Sequence, residues 1–560
     1  MRKTTSHLPP APTVFPEAAA FWEAATQGRL LVKRCEACGR NYYYPRPNCP
    51  FCGRGDTHWL PTSGRGTVYS FSIVRGAPRP TAMAVVELPE GPRLTTAIVD
   101  SDVHALQIGD AVQVRFDPSD GGPPLPVFTT TAAEQARAYA RQALAASQEA
   151  HRPPDHTSAP LQAAAVVGAG TMGIGITLAL LAAGLRVCLI DNSQDNLQRA
   201  VERVRSTLDE QRTKGRVTDA QCDAQMAALR TSREMQDIAS ADVVIEAVWE
   251  QLALKQQVFA QIDTHARPGA LLGTNTSTLD IDRIAGATRR PEAVIGLHFF
   301  SPAHVMKLLE VVRGPRTDEA SVASARELGR RLGKVAVVVG VCDGFVGNRL
   351  MMARERQAGR LLLEGASPQQ VDRVLREFGL PMGTFELQDM AGGIELSYRR
   401  RQETGQQDWL MDRLYEAGRT GLRAGRGYYR YEAGQRTPLP DPEVLQLIVQ
   451  AAARAGIARA RMADADVCER LILPMVNEGA KLVAERIVPR ASDIDVVWQH
   501  GYGWPAWKGG PMYYADRLGL GHVRDRLRTL HRQHGDAYRP ADLIERLADA
   551  GGRLCETDGA

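Results

Sequence analysis

No apolar run in this 560-residue chain approaches the roughly 20 uninterrupted residues that cross a bilayer, which excludes an ordinary helical membrane span. The opening stretch, MRKTTSHLPPAPTVFPEAAAFW, is basic but has no apolar h-region, so it does not read as a secretory signal. Charge of one sign is also scarce. A net +4 over this length points to no polyanionic partner, and residues 1–130 lack the dense Lys/Arg cluster of a nucleic-acid surface. The nine cysteines are odd in number and five are scattered singly, which disfavours a disulfide framework and leads us to expect a reducing, cytoplasmic setting. With 44% apolar residues the chain can fill sizeable cores, and its length predicts about three or four domains.

The other four cysteines are clustered. CEACGRNYYYPRPNCPFCG holds two Cys-x2-Cys knuckles, Cys35/Cys38 and Cys49/Cys52, ten residues apart. Four thiolates in tetrahedral array suit a structural zinc and leave no open coordination position for catalysis; iron, as in rubredoxin, is the alternative. Tyr42, Tyr43 and Tyr44 are expected to pack the ribbon rather than stack on bases. We assign residues 1–60 to an N-terminal helix and zinc ribbon. Short β-rich runs, GTVYSFSIV, TAMAVVEL, RLTTAIVD and AVQVRF, predict a small OB-like β-barrel over 61–130. An Ala/Gln/Arg-rich helix and the proline-punctuated HRPPDHTSAP predict a linker over 131–160.

Strands then alternate with helices, which predicts an α/β Rossmann domain with a parallel, doubly wound sheet over 161–341. VVGAGTMGIG lies between a strand and a helix. There Gly168 supplies the tight bend, Gly170 lets backbone approach a pyrophosphate, and Gly173 allows close helix–strand packing. Alone such a turn is weak evidence. A second strand ends in Asp191, at the offset of a ribose-binding acid, and a carboxylate there favours NAD over NADP. After residue 342 helical periodicity takes over, with all-α units over 342–435 and 464–560 and a loop, YEAGQRTPLPDPE, between them. GLHFFSPAHVMKLLEVV places His298 at a strand end and Glu310 twelve residues on. A histidine can take the hydroxyl proton as an alcohol loses hydride, and a carboxylate on its other nitrogen can fix the tautomer; a structural histidine is the plain alternative.

The motifs VGAGTMG, VIEAVWEQLALKQQVF, TNTSTLDI, HFFSPAHVMKLLEVV, GFVGNRL and YGWPAWKGGPMYYAD occur in one order across residues 162–560. On them, this part of the chain resembles the 3-hydroxyacyl-CoA dehydrogenase family, in particular the dehydrogenase half of multifunctional β-oxidation enzymes. The resemblance implies NAD-dependent oxidation of (S)-3-hydroxyacyl-CoA to 3-oxoacyl-CoA, with His298 as base and Glu310 as its partner. It implies that Ser277 and Asn348 bond the reacting part of the substrate, and that Glu250, Lys255 and Met172 contact the cofactor along with Ser277, Gly168, Gly170, Gly173 and Asp191. Asn275 reads equally as a turn residue, and GYGWPAWKGGPMYYAD as a packed turn without chemistry. LQDMAGGIELSYRR departs from the family's more regular pattern, and no enoyl-CoA hydratase module precedes the dehydrogenase part. The front end resembles the rubredoxin-like zinc ribbon and OB-fold proteins that accompany thiolases and acyl-CoA hydratases, which implies acyl-CoA handling or docking of a thiolase or hydratase. Alternatives are a dehydrogenase of free hydroxy acids on the same fold, a non-catalytic acyl-CoA scaffold and a nucleic-acid binder. Oligomeric state stays open, with a homodimer possible.

Overall fold

The computed structural model describes residues 8–74, 81–149 and 161–557, so the proline-punctuated part of the expected linker, 150–160, lies outside the described residues. The chain divides into two compact units, one built mainly from residues up to 140 and the other from 141 onward.

In the first unit, β1 (Leu31–Cys35), β2 (Asn41–Tyr42) and β3 (Thr57–Pro61) form an antiparallel sheet in the order β2-β1-β3. β4 (Arg65–Ile73), β5 (Thr81–Glu87), β6 (Arg93–Val99), β7 (Ala111–Asp117) and β8 (Leu125–Thr130) close into a five-stranded barrel in the order β4-β5-β6-β8-β7. Alternation drives closure: Ala82, Ala84 and Val86 of β5 point inward and are buried with Val68, Leu94, Ile98 and Phe128. The fifth strand, LPVFTT, has Pro126 in it and lacks the signal of the other four. Helix Ala19–Thr26 covers the core with Phe21 and Trp22. Tyr43 and Tyr44 pack on Phe21 at 5.7 and 6.2 Å between ring centroids, which spends their faces inside the unit.

The second unit begins with an eight-stranded sheet: β9 (Ala163–Val167), β10 (Arg186–Ile190), β11 (Leu229–Ser232), β12 (Val243–Glu246), β13 (Leu271–Thr274), β14 (Val294–Phe299), β15 (Leu308–Arg313) and β16 (Val335–Gly340). Their order is β11-β10-β9-β12-β13-β14-β15-β16. The chain runs outward from β9 to β11 and returns to β12 on the other side of β9. That reversal is a topological switch point, where such sheets bind ligands beyond the strands' carboxyl ends. The sheet departs from the expected parallel form at one place. β14 and β15 pair antiparallel, because only the short FSPAHVMK connection joins them and no crossover helix intervenes.

Beyond β16 the structure is helical. Helix Gly347–Glu364 lies along helix Asp464–Ala484, and the interval 436–463, left between the two expected units, holds a further helix, Pro442–Arg454. The two halves repeat one device. Asp372, fully buried, accepts hydrogen bonds from Phe385 N and Glu386 N, each at 3.0 Å, at the start of helix Thr384–Ala391. Asp495, also fully buried, accepts from Met512 N (2.7 Å) and Tyr513 N (3.1 Å) at the start of helix Pro511–Leu518. Six residues after Gly383 and Gly510, Asp389 and Asp516 each accept two further backbone amides, at Tyr428/Tyr429 and Leu554/Cys555. A Cβ on Gly383 or Gly510 would stand 2.2 Å from the capping aspartate, so the approach requires glycine. Asp495→Ala strips two buried donors of their acceptor and is expected to cost about 1–3 kcal/mol, read as a lowered urea midpoint. An unchanged midpoint would contradict this capping role.

Candidate active site and metal centre

At the carboxyl end of β9 the backbone turns through Gly168, at φ +108°, directly against β12: a Cβ there would stand 2.7 Å from Ala247 O. A Cβ on Gly173 would fall 1.8 Å from Gly168 O, so helix Thr171–Ala182 can start this close to the strand only with glycine. Around Gly170 nothing lies within 4 Å of a Cβ, which leaves open space at the helix N-terminus, where unpaired amides and the helix dipole favour a phosphate. Asp191 follows β10 and braces this turn. Its Oδ2 accepts from Ala169 N at 2.8 Å, and its Oδ1 accepts from Ser193 N and Asn196 Nδ2 at 3.0 Å. Met172, expected to face the cofactor, is half-buried and packs against the sheet's core. The open helix end and the acid beside it fit a dinucleotide.

His298 and Glu310 are direct cross-strand partners in the β14–β15 pair. Opposed residues of an antiparallel pair share a face with Cβ atoms ~5 Å apart, so the reversed strand brings the carboxylate to the imidazole. His298 Nδ1 and Glu310 Oε2 are 2.6 Å apart in a buried setting. Glu310 Oε1 accepts from Gly347 N at 3.0 Å, which orients the carboxylate from its far side. A Cβ on Gly347 would collide with the Tyr502 ring at 2.3 Å. Phe300 and Phe345 pack on the imidazole with centroids 4.5 and 5.6 Å away, and Phe345 holds a left-handed backbone, φ +48°, to do so. Among the described residues no group bonds His298 Nε2. That nitrogen is the one with capacity to accept a proton.

Asn348 follows Gly347 in the first turn of its helix, and its Oδ1 accepts from the Tyr502 hydroxyl at 2.7 Å. Tyr502 is stacked on Trp498, with centroids 4.4 Å apart. Tyr502 belongs to the GYGWPAW run, which was expected to pack only; the structure instead makes it the partner of a site residue. Asn275, which read equally as a turn residue, ties two strand ends together by accepting from Phe299 N at 2.9 Å.

Glu250, Lys255 and Ser277 form one network. Lys255, fully buried, donates to Glu246 Oε1 at 2.7 Å and Val248 O at 3.3 Å and lies 3.4 Å from Glu250 Oε2. Glu250 Oε1 accepts from Thr276 Oγ1 (2.6 Å), Ser277 N (2.7 Å) and Ser277 Oγ (3.1 Å). Burial pushes the Glu250 carboxyl up, but the Lys255 ammonium and these donors outweigh it and hold the group below its ordinary value. Lys255, expected to contact the cofactor, bonds Glu246 and Val248 in this structure and lies against Glu250. Sequence reasoning also missed Glu246, buried at the end of β12 and accepting from Thr274 Oγ1 at 2.7 Å. An acid closing an apolar strand, VVIE, was the available signal. Lys334, which donates to Ala303 O and Met306 O at 2.7 Å, was missed as well. Burial, helped by repulsion from Lys307, pushes its ammonium down to about 8.

In the first unit the sulfurs of Cys35, Cys38, Cys49 and Cys52 all lie within 4.8 Å of one another. Cys35–Cys52 and Cys38–Cys49 stand at 3.6 and 3.7 Å, close to the ~3.8 Å between thiolates on a tetrahedral zinc with bonds of ~2.3 Å. The two knuckles are alike: Gly39 N donates to Cys35 O and Gly53 N to Cys49 O, each at 2.9 Å, and both glycines have positive φ. The site fits a structural zinc. Metal analysis is expected to find one zinc per chain in the intact protein and its loss, with unfolding of the ribbon, in Cys35→Ser; full zinc content in that variant would remove the thiolate cage.

Comparison with known proteins agrees with this division. Residues 163–342 match the family model for the 3-hydroxyacyl-CoA dehydrogenase NAD binding domain, and 344–431 and 467–557 both match that family's C-terminal domain. Residues 22–58 match the ChsH2 rubredoxin-like zinc ribbon domain and 59–117 the ChsH2 C-terminal OB-fold domain. The peroxisomal bifunctional enzyme of Danio rerio is 39% identical over 412 residues, 70% of this chain and 56% of its own length, so the chain spans little more than half of that relative. The 3-hydroxybutyryl-CoA dehydrogenase of Escherichia coli superimposes with a TM-score of 0.61 at 26% identity, over 70% of this chain and 99% of that one. The dehydrogenase part of multifunctional enzyme 1 from C. elegans gives 0.55 at 28% identity, over 73% of this chain and 96% of that one. On its dinucleotide turn, its buried dyad and its doubled helical domain, the chain belongs to the 3-hydroxyacyl-CoA dehydrogenase family.

Proposed function

We propose that the chain oxidises (S)-3-hydroxyacyl-CoA to 3-oxoacyl-CoA. The observation that carries the reading is the His298–Glu310 pair, built across the one antiparallel step of an NAD-binding sheet. Bound NAD supplies the hydride acceptor. His298 Nε2 takes the hydroxyl proton as the substrate's third carbon loses its hydride, and Glu310 stabilises the imidazolium that forms. Asn348, its carbonyl held by Tyr502, keeps its amide donors for a neutral oxygen of the substrate. Ser277, whose hydroxyl donates to Glu250, keeps its oxygen lone pairs to accept from the substrate hydroxyl. Glu250 and Lys255 act by fixing that turn. The site serves a thioester rather than a free hydroxy acid, a reading supported by the second helical half, which supplies Tyr502.

His298→Ala is expected to lower kcat by about 10²–10⁴-fold with NADH affinity little changed, and Glu310→Gln to slow the same step. Both are read as NADH formation from a panel of 3-hydroxyacyl-CoA esters. Wild-type turnover in either variant would refute these roles.

The front unit, in this reading, docks the enzyme that consumes the product, a thiolase being the class that cleaves a 3-oxoacyl-CoA. A four-cysteine site with no open coordination position suits a docking rather than a catalytic module. Co-purification with the thiolase encoded nearest to this chain is expected to yield a complex and a faster coupled reaction. Separate elution with no rate gain would rule the docking out.

A further inference from the structure

Two large apolar side chains on elements tied to the site residues stay exposed, Trp249 at 72% and Leu396 at 65%. Trp249 follows β12, between Val248, whose carbonyl Lys255 holds, and Glu250, which holds Ser277. The Arg399 guanidinium lies over its ring, 5.3 Å from the centroid, reaching from helix Gly393–Thr404. The next residue, Arg400, pairs with Asp343 at 2.8 Å, two positions before the Phe345 that packs on His298. The helix is thus fastened on one side to the sheet's switch-point edge and on the other to the start of the helical half. Leu396 precedes Arg399 and Arg400 by three and four residues and shares their face. Met390, 39% exposed, stands near the end of the preceding helix, Thr384–Ala391.

Large apolar groups left in water mark a surface with an occupant. Here the occupant is argued from the site these elements carry: Trp249 adjoins the Glu250 that holds Ser277, and the helix is anchored at Asp343, two residues from the Phe345 that packs on His298. A 3-hydroxyacyl thioester presents polar atoms to His298, Ser277 and Asn348, and the rest of its acyl group is hydrocarbon that gains by leaving water. Tryptophan, leucine and the adaptable methionine give that hydrocarbon area without demanding one shape. All but Trp249 lie in LQDMAGGIELSYRR, the stretch whose sequence departs from the regular pattern.

The geometry points to Trp249 and the Leu396 face of helix Gly393–Thr404 as the acyl-selecting wall, which takes an extended apolar acyl group in preference to a four-carbon one. The inference rests on the proposed dehydrogenase reaction. Each methylene in contact contributes roughly fourfold to kcat/KM.

The test compares kcat/KM for 3-hydroxydodecanoyl-CoA and 3-hydroxybutyryl-CoA in the wild type, Trp249→Ala and Leu396→Ser. The ratio of long to short ester is expected to fall roughly tenfold or more in each variant. An unchanged ratio overturns the wall. A readout independent of turnover is tryptophan emission titrated with unreactive dodecanoyl-CoA, expected to shift in the wild type and not in Trp249→Phe; equal shifts in both overturn it as well. If the wild type oxidises neither ester while the acyl-CoA still moves Trp249 emission, the dehydrogenase reading fails and the wall stands. If both esters are oxidised with an unmoved ratio, the wall fails and the reaction stands. Trp249 emission that is shielded without acyl-CoA and becomes exposed on dilution would place a second copy of the chain on this face, and would overturn the proposal.

Discussion

The hydrogen bond between His298 and Glu310 depends on strand direction. In an all-parallel sheet the two strands would need a crossover connection of about a dozen residues or more, where residues 300–307 are all that join them here. Reversing β15 allows a short connection and sets residues twelve apart in sequence face to face. The remaining features of the site secure that pair. Gly347 orients the carboxylate, Phe300 and Phe345 enclose the ring, and Lys334 fastens the connecting loop by two of its carbonyls. Burial makes the bond matter: a carboxylate taken out of water must be met by donors, and Glu310 has one on each oxygen.

A second buried ionic group does a different kind of work. Glu246, Lys255 and Glu250 run from the end of β12 to the Ser277 turn, with the ammonium between two carboxylates. Such a group adds little to stability compared with an apolar packing of the same volume, because desolvation offsets most of the attraction. What it does supply is placement. Glu250 accepts from the hydroxyls of 276–278 and the amides of 277 and 278 together, so that turn cannot relax without leaving a half-buried carboxylate short of donors.

Much of this was legible from residue order. Period-two alternation marked four barrel strands, apolar runs between glycines marked most of the parallel strands, and the cysteine knuckles marked a closed tetrahedral site. The glycine turn was readable because Gly168, Gly170 and Gly173 each answer a different steric demand, two of them filled by backbone and one left open. What escaped were features set by tertiary approach. Direction of β15 has no signature in its own residues. Tyr502 lies 154 positions from the Asn348 it holds, in a run whose glycines and tryptophans read as packing. Lys255 was expected at the cofactor, and its burial against Glu246 was not legible in its own helix. The β8 strand was hidden by its proline.

The doubled helical domain acquires a purpose from the same geometry. Its halves repeat a buried aspartate that caps the next helix, yet they have diverged where they face the dyad. The first half presents Asn348 and the second presents Tyr502, and one hydrogen bond joins them. Arg349, beside Asn348, reaches Glu478 and Glu485 of the second half, at 3.1 and 2.5 Å. A single copy of the domain would leave the Asn348 amide free to rotate between its oxygen and nitrogen ends, with nothing to decide which of them met the substrate. With the second copy present, a tyrosine stacked on Trp498 takes the oxygen end, and in the proposed reaction the donor end is the one left over for an acyl carbonyl or hydroxyl. Duplication here produces an asymmetric pair in which one repeat orients the other, and orientation is what a neutral donor needs to favour one substrate geometry.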